Sequence, residues 1–351
     1  MSKPYALLRA GFPYLKTVGY GQNLRMPLDI AFGKEGRLYA LCHHNNEKEV
    51  AGPIVLLNFE DDEMPRFGRA EHSYCYTFPV PDGQLMSPVQ IIADADENLY
   101  VSDEGCDRIS IWDRSGEFVG RWGDSGNEDG KFDSPSGIAF DSQENLYVVD
   151  TRNHRIQKFT KDGQFLTSWG VFGNGDGEFN MPWGIAVDTA DDVYIADWRN
   201  DRIQRFTSSG EFVSSFGDSG QLDGQLSRPA GVAVDKDGDI YVCDWGNSRV
   251  QLFASDGRFV QKFLGDATMS RSRLRRMNTA TARALRLRES GNLEIEKLFD
   301  EPWSVRVDDQ GHMFVADHGR SRFQIYRKEA YPLGPDQIMP PLRAETLATN
   351  M

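Results

Sequence analysis

Apolar residues along most of the chain fall in short runs rich in Val, Ile, Tyr and Phe, separated by Asp-Gly, Ser-Gly and Asn-Gly turns. Such runs read as short strands of antiparallel meanders, not as helices. The runs also recur in a fixed order. Ser134-Pro-Ser-Gly-Ile-Ala-Phe-Asp141 is followed by Asn145-Leu-Tyr-Val-Val-Asp150, Arg155-Ile-Gln-Lys-Phe159 and Gln164-Phe-Leu-Thr-Ser-Trp-Gly170. The same order returns from Met181-Pro-Trp-Gly-Ile-Ala-Val-Asp188 and from Arg228-Pro-Ala-Gly-Val-Ala-Val-Asp235.

Pro88, Pro135, Pro182 and Pro229 are spaced by 47 residues, a period that fits four-stranded blades. Further copies start at Ser87-Pro-Val-Gln and Glu301-Pro-Trp-Ser. A degenerate first copy, Met26-Pro-Leu-Asp-Ile-Ala-Phe32, carries Cys42 where the other five carry Asp. One blade cannot bury both of its faces, whereas six stacked around an axis can. The expectation is a single all-β domain over 1–351, a six-bladed β-propeller. The last copy lacks a fourth strand, and Tyr14-Leu-Lys-Thr-Val-Gly19 supplies one from the N-terminus to close the ring. Residues 327–351 are expected as a C-terminal tail.

The Pro-x-Gly-Ile-Ala-Val-Asp, Tyr-Val-Ala-Asp and Arg-Ile-Gln-x-Phe runs resemble the NHL-repeat family from about residue 12 to 326. That resemblance implies the propeller fold. It extends to the propellers of peptidylamidoglycolate lyases and streptogramin lyases, and to RNA-binding and protein-binding modules. The amidating lyases place zinc-binding histidines after the repeat prolines. Here those positions hold Leu28, Val89, Ser136, Trp183, Ala230 and Trp303, so that zinc site does not carry over.

In such a ring the residues after each proline and after each Tyr-x-x-Asp run converge on one end of the axis, the upper face. Candidate ligand-binding residues there are Asp29, Gln90, Glu104, Arg152, Trp183, Trp198, Arg199, Trp245, Trp303 and Arg320. The tryptophans suit a flat organic ligand or, alternatively, packing between blades. His43, His44 and His318 are candidate catalytic acids or bases and candidate ligands for a divalent metal ion, the other reading being ordinary polar surface. Asp103, Asp150, Asp197, Asp244 and Asp317 each precede an arginine by five residues, and fivefold recurrence marks them as structural.

Residues 264–300 interrupt the repeat. Apolar spacing there predicts a helical insertion over 267–288 on the upper face, rich in arginine from Arg271 to Arg288. It reads as a lid, as a docking helix for an acidic partner, or as a solvated face. The net charge of -14 makes nucleic acid an unfavourable partner. With no long apolar run and no leader-like start, the chain reads as cytoplasmic with no membrane span. Two functions remain open. One is a lyase or hydrolase acting on a polar organic substrate in an axial small-molecule pocket. The other is a non-catalytic propeller that binds a ligand or a protein partner.

Overall fold

The computed structural model describes residues 6–19, 24–43, 53–60, 80–268 and 296–334. Four blades are complete within one stretch of chain each. Blade 2 comprises Pro88–Ala93, Leu99–Asp103, Arg108–Trp112 and Phe118–Trp122, and blade 3 runs from Pro135–Phe140 to Phe165–Trp169. Blade 4 runs from Pro182–Val187 to Phe212–Phe216, and blade 5 from Pro229–Val234 to Phe259–Phe263. Blade 1 has three described strands, Pro27–Phe32, Arg37–Cys42 and Ile54–Asn58. Blade 6 joins Pro302–Val307, His312–Asp317 and Arg322–Arg327 to the N-terminal strand Tyr14–Val18. The closing strand pairs as expected, with Tyr14 opposite Tyr326 and Val18 opposite Phe323.

The second strand of each blade explains the stacking. Its residues are buried on both faces, so Leu-Tyr-Val-Val has no polar alternate. Tyr147 and Val149 enter a cluster with Ile185, Val193 and Ile195 of blade 4, while Leu146 and Val148 join Tyr100 and Ile109 of blade 2. One such hydrophobic cluster fills each of the six gaps between neighbouring blades. The gap between blades 6 and 1 is sealed like the others, by Val18, Phe314 and Phe323 against Ile30 and Leu38.

At the axis the inner strands approach so closely that side chains do not fit. A Cβ on Gly137 would lie 2.5 Å from the Trp183 carbonyl oxygen, and one on Gly184 would strike the Ala230 carbonyl. The remaining inner positions are filled by polar groups that answer each other. Asp29 of blade 1 is fully buried and accepts two bonds from the Arg306 guanidinium of blade 6, at 3.0 and 2.5 Å, and one from the Ile91 amide of blade 2 at 3.2 Å. The Gln90 side-chain oxygen accepts from the Ile138 amide of blade 3.

Two features depart from the expected architecture. Residues beyond Tyr326 are not all tail, because Glu329–Leu333 pairs with Ala6–Gly11 in a two-stranded sheet at the lower end. That sheet is held to blade 5 by charge: Lys328 Nζ sits 2.6, 2.8 and 3.0 Å from Asp235, Asp237 and Asp239, and Arg9 clasps Asp239. The expected helical insertion is not supported. Most of it, 269–295, lies outside the described residues, and its described ends carry no more than a turn at 296–297. No helix among the described residues is long and apolar enough to cross a membrane.

Two substitutions probe these constraints. Gly184→Ala forces a methyl group against backbone that cannot yield and lowers unfolding free energy by about 3 kcal/mol in urea titration. Lys328→Met leaves Asp235 buried without a cation, next to an Asp239 that keeps only Arg9, and costs roughly 3 kcal/mol by the same measurement. A loss below about 0.5 kcal/mol in either would show that the contact does not constrain the fold.

Candidate functional site

The upper face is set by the connections that lead into each inner strand. In blade 3 the buried Asp150 carboxylate accepts the Asp133 amide at 2.8 Å, Arg155 Nε at 2.8 Å and Gln157 Nε2 at 3.0 Å. Arg155 and Gln157 in turn donate to the carbonyls of Glu128 and Lys131 in the connection itself. Asp197, Asp244 and Asp317 repeat the arrangement with Arg202, Arg249 and Arg322. The recurring aspartates are structural, as their periodicity indicates.

The residue before the repeat proline is left-handed in five copies, with φ from 46° at Met26 to 58° at Ser134. Its amide is held by the preceding blade. Asp107 accepts from Ser134, His154 Nδ1 from Met181, Asp201 from Arg228, and Ser321 Oγ from Met26 across the ring closure. The side chain that follows each proline therefore points to the axis in a fixed direction.

Four tryptophans meet there as one half-buried surface. Trp183 contacts Trp303 edge-on at 5.7 Å and Trp198 at 6.1 Å, and Trp245 lies 6.5 Å from Trp198 and 6.4 Å from Trp303. Packing and exposure hold together: the rings pack on each other and keep an open side. Beneath them, Leu28, Trp183, Trp303 and the inner glycines leave a space of only about 10 Å³ open to a water-sized molecule. That is room for about one water, whereas organic ligands occupy sites of roughly 300 Å³ or more. Among the described residues, the axial small-molecule pocket expected from the repeats is thus a shallow recess.

Ring closure brings blades 1 and 6 together, and His43 lies within electrostatic reach of His318. His318 is buried, packs 5.4 Å from Trp303 and donates through Nδ1 to the Pro27 carbonyl at 3.3 Å. Burial lowers its pKa, against the pull of that carbonyl. The backbone of His43 donates to the Met26 carbonyl. His44 lies outside the described residues. Asp29 does not face the histidines as an open carboxylate, because Arg306 occupies it. Among the described residues no group of three or more His, Cys, Asp or Glu side chains is placed to hold a metal ion, so the expected divalent metal has no visible ligand set.

The other candidates divide between structure and surface. Gln90 is spent within the ring, and Glu104 accepts from Ser87 Oγ at 3.0 Å with its pKa raised by burial. Arg320 Nε donates to the Leu298 carbonyl at 3.0 Å. Arg152 is exposed, 3.8 Å from Asp133. Arg199 is exposed and its guanidinium lies 5.8 Å over the Trp198 ring. Arg228, absent from the sequence-based set, lies 5.5 Å over Trp198 and 6.0 Å over Trp245. The signal was legible, since Arg228 is the only cation at the position before a repeat proline between Ser87 and Glu301. Arg306 was marked in the same way, standing where the copies have Ala139, Ala186 and Ala233.

The sequence matches the NHL repeat at residues 132–159, 179–206, 226–253 and 299–326, the cores of blades 3 to 6. The protein is a six-bladed β-propeller. Blades 3 to 6 carry the NHL repeat, as their recurring runs indicate. Its fold is similar to virginiamycin B lyase from Staphylococcus aureus, with 15% identity and a TM-score of 0.53 over 92% of this chain and 88% of that one. It is also similar to a streptogramin B lyase, at 14% and 0.55 over 91% and 98%. The WD40 β-propeller domain of Doa1 is similar at 12% and 0.53, over 91% and 98%. At these identities the likeness is one of fold. No curated protein matches the sequence.

The buried imidazole carries a pH prediction. His318 has a folded pKa below its ordinary value near 6.5, so its contribution to stability is complete above about pH 6.5 and is lost as pH falls toward the folded value. Nuclear magnetic resonance titration should find its ring titrating below that value, and His318→Gln should flatten the stability decline on the acid side. A ring titrating at or above 6.5 would remove the prediction's basis.

Proposed function

We propose that this protein is a non-catalytic propeller that docks a protein partner on its tryptophan-lined upper face. The observation that carries the reading is the joined, half-buried surface of Trp183, Trp198, Trp245 and Trp303 above a closed axis. A flat aromatic surface rimmed by arginine offers little enclosure to a small molecule and much contact area to a protein, and Trp and Arg dominate the energetics of protein interfaces. The rings are rigid, held by each other and by clamped connections, so docking costs little side-chain entropy. A cytoplasmic setting belongs to this reading and is supported by free thiols at Cys106 and Cys243 among the described residues.

One observation favours a second reading, a lyase or hydrolase with His318 as the base. The lowered pKa keeps the imidazole neutral, and its Nδ1 bond leaves Nε2 as the proton acceptor beside Trp303. That reading requires the bound molecule to be consumed. Turnover abolished in His318→Ala with binding intact would replace the docking reading.

Peptides selected for binding to the full chain from a random library test the proposal. They should bind about tenfold more weakly to a Trp198→Ala, Trp245→Ala variant that keeps the native thermal transition, and should shield the indoles from acrylamide quenching. Selected peptides that bind both proteins equally would place docking elsewhere.

A further inference from the structure

We infer that the upper face above blade 4 receives an acidic segment of the partner protein, its carboxylates paired with Arg199 and Arg228. The inference rests on the docking reading and adds the chemistry of what docks.

The two guanidiniums flank one indole, Arg199 at 5.8 Å and Arg228 at 5.5 Å from the centre of Trp198. Both side chains are exposed, and among the described residues neither has a carboxylate partner. That is unusual in this chain. With 53 acidic residues against 39 basic ones, most described arginines are paired with Asp or Glu or bound to loop carbonyls, as Arg9, Arg37, Arg121, Arg155, Arg205 and Arg306 are. The indole faces orient the guanidiniums without neutralising them, which leaves their N–H donors free for an incoming oxyanion.

An apolar rim flanks the cations. The connection into blade 4 carries Val171-Phe172 where its neighbours carry Asp124-Ser125 and Asp218-Ser219, and Phe172 is 67% exposed against the His154 ring. The connection out of blade 4 carries Leu222, 72% exposed. Large apolar side chains this open on two adjacent connections break the repeat on the side where the unpaired cations lie. An acidic segment with apolar or aromatic neighbours matches both features.

Charge decides among anionic partners. The cationic spot is confined to a few residues, and exposed carboxylates at Asp176, Asp218 and Asp223 stand on the same connections. At a screening length of about 8 Å, a long polyanion such as nucleic acid would meet that repulsion along most of its path. A short acidic segment reaches the two guanidiniums without crossing it.

The test uses the full chain and a fluorescein-labelled peptide alternating glutamate and phenylalanine, with a lysine–phenylalanine peptide and a thymidine oligonucleotide as comparisons. The glutamate peptide should bind by anisotropy, weaken at least about tenfold on raising salt from about 0.05 to 0.5 M, and weaken by about tenfold or more in Arg199→Glu, Arg228→Glu. The milder Arg199→Gln, Arg228→Gln pair should show the same direction and serves if charge reversal disturbs the thermal transition. Affinity unchanged by both pairs, equal or tighter binding of the lysine peptide, or no binding of the glutamate peptide at about 1 mM overturns the inference. So does an oligonucleotide that binds through the same arginines and displaces the peptide. If library-selected peptides still depend on Trp198 and Trp245 while ignoring both arginine pairs, docking stands and the acidic class of partner falls.

Discussion

The buried carboxylate that ends the second strand of blades 3 to 6 is the constraint from which most of the ring follows. Taking Asp150, Asp197, Asp244 and Asp317 out of water is costly, and the cost is offset because each accepts from an arginine, a glutamine and the amide of the incoming connection. Because the arginine and glutamine also hold carbonyls of that connection, one carboxylate fixes where the next blade begins. Proline then sets the entry of the inner strand. In blades 3 to 6 the inner strand, and with it the residue after each proline, is placed by this clamp.

The axis shows the opposite economy, in which contact replaces side chains. Three consecutive inner strands carry glycine because the neighbouring backbone carbonyls occupy the place of a Cβ. The other three carry Asp29, Gln90 and Ser304, and the first of these needs Arg306 from the blade behind it. A salt bridge so buried contributes little net stability compared with apolar packing, but it fixes which blades lie next to which. It also closes the axis. Whatever binds at the upper end meets the rims of the tryptophans and not a shaft between the blades.

The repeats made most of the fold legible, and for a physical reason: a feature required in every blade is written several times. The closing strand, the strand-end aspartates and the both-faces-buried second strands all belong to that class. What stayed hidden occurs once. Asp29 and Arg306 are 277 residues apart, and nothing local in the Met26-Pro-Leu-Asp run tells that the carboxylate is already taken. Strand Glu329–Leu333 lies past the last repeat and pairs with Ala6–Gly11 only because ring closure brings both chain ends to the lower side of blade 5. The upper-face arginines were half legible. Arg199 stood out by its position after the second strand, but the pairing of Arg228 with the same indole depends on the left-handed turn before Pro229.

That turn couples the framework of the ring to its upper face. Arg228 has φ of 51°, held because its amide donates to Asp201 of blade 4, while the same aspartate accepts from Ser219 Oγ. The backbone bond spans the boundary between blades 4 and 5, so the guanidinium is carried by blade 5 but positioned over an indole of blade 4. A cation placed in this way neither collapses onto a local carboxylate nor swings free in solvent, because Asp201 is occupied by backbone and the indole face holds the guanidinium laterally. Electrostatic attraction of an acidic partner falls off within about 8 Å, so in a protein of net charge -14 such a site depends on Asp201 being already bound. The hydrogen bonds that build the turn bind it, and the two guanidiniums, without a carboxylate partner among the described residues, are left facing outward on the upper face.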